Sequence, residues 1–335
     1  MGPGDHRQMS QVVGRVALVE PQVLTPTQER LLAQLRKEPT PLVFDAGFVD
    51  QLVRRARDGF EHLSARLGGE RLYVSKSMLT RVHGCEAQYV VPSDFEWSPS
   101  TARGFVAHKA IELHVNWRGE ATPSQLVEEA IARLADEPSN RGDFIAALTD
   151  ADLAELRSFA IERLTHFLHD FPPLDPRANP VLEASLKWRA TACIELGGKT
   201  DLVLGRPEGR ISKRLIVDFK TGFRSFHHRA DLQFYALLET LIRSVPPRKL
   251  VTYYLDYAEA EVEDVTEAML ESSLDRVLEA VDRHVELMID GRTPVKRPGS
   301  PCRWCSLHDS CDEGKAHLAM LDDDGRQGFD DAVEA

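Results

Sequence analysis

Gly197-Gly198-Lys199-Thr200-Asp201 and, further on, Val217-Asp218-Phe219-Lys220-Thr221-Gly222 decide how this chain is read. Both stretches alternate in strand fashion and lie close enough to form a hairpin. Asp201 and Asp218 then fall on neighbouring strands. Lys220, two positions after Asp218, shares its sheet face because side chains alternate with period two. Hard cations such as Mg²⁺ or Mn²⁺ are bound by oxygen ligands of this kind. A lysine beside them supplies positive charge next to an attacking water and the charge that develops on a phosphoryl group. D-x-K alone is common on solvated strands, so its surroundings have to carry the argument.

Working outward, strands are expected over 181–194, 199–204 and 215–220. A helix follows over 229–243, then a Val/Thr/Tyr-rich strand over 250–257. A long helix over 264–289 stops at Gly291. Ahead of the strands, a helix over 101–117 carries Gly104, His108 and Glu112 at four-residue intervals, on roughly one face. Further helices fill 124–171, closed by Pro172 and Pro173. The N-terminal part reads as two helices within 27–67, with apolar stripes at Leu31, Leu32 and Leu35 and at Phe48, Leu52, Val53, Phe60 and Leu63. Pro39 and Pro41 separate them. A short strand or turn and a helix over 72–89 lead to Cys85, and Pro92–Pro99 reads as a loop. No internal repeat is seen.

The succession G-x-x-D (Gly198 to Asp201), D-x-K-T-G (Asp218 to Gly222) and an aromatic-bearing helix resembles the RecB-like branch of the PD-(D/E)XK nuclease superfamily. The resemblance covers about 77–311 and extends to the CRISPR-adaptation exonucleases and the AddB nuclease module, which carry the same core with four cysteines. It implies an α/β, restriction-endonuclease-like αβββαβ core with a helical insert and helical N- and C-terminal flanks. It also implies metal ligation by Asp201, Asp218 and the Phe219 carbonyl, with Lys220 orienting or deprotonating the water. A helical G-x-x-x-H supplies a histidine ligand in the family, matched here by Gly104 to His108. One departure concerns Q-x-x-x-Y on the helix after the sheet. Tyr235 fits, but Asp231 stands at the Gln position and Gln233 lies two residues on, on another helix face. Either Asp231 substitutes as the polar group or the backbone presents Gln233. Glu183 on the first strand is a secondary candidate, and an ordinary surface strand residue is favoured there.

The five cysteines are Cys85, Cys193, Cys302, Cys305 and Cys311. Spaced cysteines in a reducing compartment point to metal more often than to disulfides. Cys302-x-x-Cys305 with Cys311 needs a fourth ligand. Cys193 fits a small buried thiol, and by resemblance Cys85 is the distant first ligand of a [4Fe–4S] cluster. Zn²⁺ also takes four thiolates, and His308 keeps a Cys₃His site open. Such a centre would close a loop of more than two hundred residues, so its role would be mainly structural.

The chain has 335 residues, 42% hydrophobic and 28% charged, as in an ordinary globular protein. Its 41 Lys plus Arg against 53 Asp plus Glu give a net charge of −12. Binding nucleic acid by bulk charge alone would call for a basic chain, although a local basic groove can coexist with an acidic remainder. Arg224 and Arg229, just after the D-x-K-T-G turn, are the named DNA-contact candidates. Phe223, Phe226 and Trp304 are candidates for base stacking. No apolar run is long enough for a membrane span, and the N-terminus has no secretory h-region, so a cytoplasmic protein is expected.

The expected organisation is a flexible 1–24, a helical 25–100 with the first cluster cysteine, and a nuclease core at 101–260 with its insert at about 122–172. A C-terminal helix and cysteine loop at 261–318 and an acidic disordered tail at 319–335 complete it. The expected function is a divalent-metal-dependent deoxyribonuclease, an exonuclease of DNA repair type working on single strands or ends. The alternative is a catalytically weak nuclease fold that binds DNA or a partner. A redox or iron sensor explains the cysteines but leaves His108, Asp201, Asp218 and Lys220 without a purpose. No phosphate-loop motif occurs, so unwinding would need a helicase or another repair or adaptation partner.

Overall fold

The structure, a computed structural model, describes residues 23–36, 40–92 and 97–333. Most of the expected flexible N-terminus, Pro39, and residues 93–96 of the expected loop lie outside them. The chain begins with α1 (Pro26–Leu35) and α2 (Ala46–Arg66), followed by β1 (Leu72–Val74), α3 (Lys76–His83) and the single turn α4 (Glu86–Tyr89). Next come α5 (Pro99–Asn116) and three inserted helices, α6 (Pro123–Ala135), α7 (Asn140–Ala146) and α8 (Asp150–Asp170). Strands β2 (Val181–Arg189), β3 (Ile194–Leu204) and β4 (Leu215–Lys220) precede α9 (Phe226–Arg243), β5 (Lys249–Tyr254) and β6 (Glu259–Asp264). Helices α10 (Glu267–Met288) and α11 (Asp312–Val333) close the chain. The order α5-β2-β3-β4-α9-β5 is the αβββαβ core.

Helix starts follow their capping residues. Thr25 and Thr122 each form a full capping box with a Gln three positions on, and Ser75, Ser98 and Thr266 accept the N–H three residues along. Apolar stripes then bury against a six-stranded sheet of order β1-β3-β4-β5-β6, with β2 also paired to β3. On one face α2, α3, α9 and α10 cover Leu186, Trp188, Ile194, Leu196, Ile216 and Leu250. On the other, α5 to α8 cover Leu202, Leu204, Leu215, Val217, Val251 and Tyr253.

Two irregularities prepare the site. β2 runs antiparallel along most of β3, so β1 and β4 must share the opposite edge of β3. β1 pairs with Ile194, Glu195 and Leu196 and β4 with Leu202, Val203 and Leu204, leaving Gly197 to Asp201 unpaired on that edge. The sheet is therefore open where the motif residues lie, and the chain leaving β1 enters α3 beside the gap. Alternation also reverses there. Leu186 and Trp188 face one core and Leu182 the other, although all three have the same parity. Regular alternation would put them on one face. The reversal coincides with Glu183, whose φ of 51° is left-handed.

Several expectations need correction. The strand expected over 181–194 stops at Arg189, because the Thr191 hydroxyl accepts the N–H groups of Cys193 and Ile194 in a tight turn. β3 consequently begins at Ile194, earlier than the expected 199. β6 went unrecognised: Ala260 and Val262 pack on the core while Glu259, Glu261 and Glu263 point outward, so its composition reads as polar loop. The stretch 319–333, expected to be disordered, continues α11 to Val333. Asp312 and Glu313 complement the helix dipole at its start, and Leu318 is buried. Among the described residues no helix is long and apolar enough to cross a membrane.

Candidate active site

Asp201 leaves the open edge of β3 and accepts the backbone N–H of Phe219 at 2.7 Å, which ties β3 to the end of β4. His108 arrives from α5 on one side of the sheet, its Nδ1 3.5 Å from Asp201 Oδ1. Its ring meets Phe219 edge-on at 6.2 Å. α5 passes close to the end of β4 at Gly104, where a Cβ would lie a tight 3.2 Å from the Thr221 hydroxyl. Glu183, opposite Asp201 across the β2–β3 ladder, completes a group with His108 and Asp201 whose ligand atoms lie within 4.8 Å of one another. It is half-buried against His108 and Asp201, on a left-handed backbone, rather than standing apart on the strand surface. Lys199 pairs with it at 2.9 Å.

From the other side of the sheet come α3 and α9. Lys220 Nζ lies 2.7 Å from Asp218 Oδ2 and 3.6 Å from Asp231 Oδ2. Lys76 Nζ, from the start of α3, lies 3.5 Å from Asp218 Oδ1 and 3.8 Å from Asp231 Oδ2. The Lys76 ammonium also sits 5.3 Å from the centre of the Tyr235 ring. A Cβ at Gly198 would lie 2.7 Å from that ring, so glycine is required where β3 crosses α9. All these side chains except Asp231 line one cavity of about 440 Å³ that also reaches Phe105, Lys109 and Arg141.

Burial and charge oppose each other here. Burial works against the charge on His108, but the Asp201 carboxylate beside it raises its pKa overall. Burial likewise works against Asp201, yet His108, Lys76 and the Phe219 N–H lower its pKa. For Lys76 burial is outweighed by Asp218, Asp231 and Asp201, which raise it. For Asp231 burial prevails over Lys76 and Lys220, and its pKa rises. One imidazole and clustered carboxylates, with cations as the counter-charge, form a donor set suited to a hard divalent ion.

Thus the structure brings His108, Asp201, Asp218, Phe219 and Lys220 around one cavity, with Asp231 and Tyr235 against it. It does not bring in the remaining candidates. Arg224 pairs with Glu259 and lies over Tyr254, Arg229 pairs with Glu263, and the Gln233 amide reaches Glu263 at 3.4 Å. All three are turned to β6, whose glutamates neutralise the arginines; the unrecognised strand is the reason for that misplacement. Lys76 was missed altogether. Its signal was its place directly after a short strand and the N-cap Ser75.

Cys85, Cys302, Cys305 and Cys311 are free thiols that line a second cavity of about 400 Å³. Each sulfur accepts one backbone N–H at 3.4 Å, from Arg297, Gly299, Leu307 and Gly314 respectively. Cys193 lies elsewhere, beside Thr191 and Ile194. Among the described residues no three of the sulfurs close to within 4.8 Å. The two distant parts of the chain are joined here by Glu86, buried next to Cys85. It accepts Arg292 at 3.0 and 3.1 Å and the Val295 N–H at 2.8 Å, while its own N–H donates to the Val295 carbonyl. His308 Nδ1 is engaged by the Cys302 carbonyl at 3.2 Å.

Compared with known proteins, residues 73–312 match the family model described as the PD-(D/E)XK nuclease superfamily. No curated protein matches. Among solved structures, the chain is similar to the protein SSO0001 at 17% identity and TM-score 0.27, covering 65% of this chain and 98% of that one. It is also similar to a candidate exonuclease from Eubacterium rectale at 13% identity and TM-score 0.32, covering 68% of this chain and 92% of that one.

Proposed function

Because this chain belongs to the PD-(D/E)XK nuclease superfamily, we propose that it is a divalent-metal-dependent deoxyribonuclease acting on DNA ends or single strands. The observation that carries the reading is the meeting of His108, Glu183 and Asp201 in one cavity with Asp218 and Lys220. His108, Asp201, Asp218 and the Phe219 carbonyl would hold Mg²⁺ or Mn²⁺, with Glu183 completing the set. The bound ion would polarise a phosphate oxygen and lower the pKa of a coordinated water. The chain itself contributes orientation: the Phe219 N–H fixes the Asp201 carboxylate, and Asp201 fixes the His108 ring. Lys220 places an ammonium group beside Asp218, where it would orient the attacking water and offset the charge arriving on the phosphate.

The thiol cavity belongs to the same proposal as the seat of a [4Fe–4S] cluster of structural role. Four sulfurs each accepting a backbone N–H support a bound thiolate centre, since such bonds stabilise the anionic sulfur. A zinc ion at about 2.3 Å from each thiolate would draw the sulfurs to within about 3.8 Å of one another.

Protein purified without air, given Mn²⁺ and labelled single- and double-stranded DNA, tests the reading. Cleavage that disappears in Asp218→Ala and Lys220→Ala supports the enzyme. Intact DNA in every reaction, with metal and cluster both bound, assigns the protein to the alternative of a silent nuclease fold that only binds.

A further inference from the structure

Lys220 and Lys76 each bridge the same two carboxylates, Asp218 and Asp231, at distances of 2.7, 3.6, 3.5 and 3.8 Å. The four side chains form a closed ring of alternating charge at the mouth of the D-x-K motif. We propose that Lys76 is a second working cation for the phosphate and that Asp231 is the positioning residue that holds both ammonium groups. This rests on the nuclease reading given above and names further residues of the same site.

Three observations support it. Lys76 is the first residue of α3, where the helix dipole disfavours a cation, so its charge is not there for the helix. Its side chain is directed inward, over the Tyr235 ring and onto two carboxylates, at a position that a surface lysine would leave for water. It also lines the cavity that holds His108, Asp201 and Asp218, whose remaining space is what a substrate would occupy.

The ring explains what a carboxylate does at position 231. A divalent ion on Asp218 would take up much of that residue's negative charge. A neutral side chain at 231 would then leave two ammonium groups facing each other with no anion between them. Asp231 supplies that anion. Arg276, His227 and the Tyr235 hydroxyl also feel its charge, so the groups facing Asp231 include Lys76, Lys220, Arg276, His227 and Tyr235, with Asp218 opposing. Removing one member of such a ring leaves its partner uncompensated, which costs more than removing both.

The test is a cycle of Lys76→Met, Asp231→Asn and the double variant, with Lys76→Arg as the charge-preserving control. Mn²⁺ affinity is measured by calorimetry, Tm in chelator, and kcat and KM on a labelled single strand. Lys76→Met removes a cation that competes for Asp218, so it binds Mn²⁺ at least as tightly as wild type while kcat falls on the order of tenfold. Asp231→Asn leaves both lysines on Asp218, so it binds Mn²⁺ several-fold more weakly. Each single variant lowers Tm, the double recovers part of the loss, and Lys76→Arg keeps most of the activity. Wild-type kcat in Lys76→Met, or a double variant whose loss in Tm is the sum of the two single losses, overturns the proposal. If wild type cleaves no DNA, the nuclease reading fails, while the chelated Tm and Mn²⁺ arms still decide whether the ring exists.

Discussion

Replacing Glu183 by glycine and by alanine, side by side, probes the backbone on which the site is built. In an ordinary strand glycine is the weaker residue by roughly 0.5–1 kcal/mol, because its unfolded chain has more freedom to lose. At Glu183 φ is 51°, a left-handed conformation. A side chain there costs roughly 1–2 kcal/mol in steric contact, which alanine keeps and glycine relieves. Both variants lose the 2.9 Å pair with Lys199, which is largely exposed and cancels in the comparison. The difference comes to about 0–1.5 kcal/mol in favour of glycine, against the usual order. Urea unfolding in chelator and without air measures it, with midpoints compared at equal slope. Both variants also lose the Glu183 carboxylate, so both should bind Mn²⁺ more weakly by the same factor. Stability would thus rise from alanine to glycine while metal affinity stays equally impaired. Alanine more stable than glycine by the roughly 0.5–1 kcal/mol of an ordinary strand would refute the left-handed assignment, and unchanged Mn²⁺ affinity in both would remove Glu183 from the ligand set.

Gly198→Ala puts a Cβ 2.7 Å from the buried Tyr235 ring, and overpacking there should cost about 1–3 kcal/mol in urea unfolding. A loss under about 0.5 kcal/mol would show that α9 yields freely at this crossing. Burial, aided by the charge of Lys220, lowers the His228 pKa to about 4, against about 6.5 when unfolded. The unfolded chain therefore takes up the proton first, so His228 makes stability fall as pH drops from about 6.5 to about 4. His228→Gln should flatten the decline of Tm across that window, and an unchanged slope counts against a neutral, half-buried ring. Cys302→Ser should abolish brown absorbance near about 400 nm while Cys193→Ser keeps it. A colourless, zinc-loaded wild type would contradict the cluster.

The αβββαβ order, the D-x-K hairpin and His108 were legible in the sequence because each is local: period-two alternation, a fixed i+2 spacing and a helical repeat. Asp231 and Tyr235 were likewise readable as sharing a helix face. What escaped depends on the third dimension. Lys76 becomes part of the site only because β1 and β4 share one edge of β3, and no spacing rule announces that gap. Glu183 reads as a surface strand residue because nothing local marks it, and the reversal of faces at its left-handed φ is visible only in three dimensions. Arg224 and Arg229 looked free for phosphate because β6, rich in glutamate, did not read as a strand.

The most direct measurement is anomalous scattering from crystals grown with Mn²⁺. The account predicts a peak between the His108 imidazole and the Asp201 and Asp218 carboxylates, beside the Phe219 carbonyl and within reach of Lys220. No peak there at saturating Mn²⁺, or one held by other side chains, would contradict it.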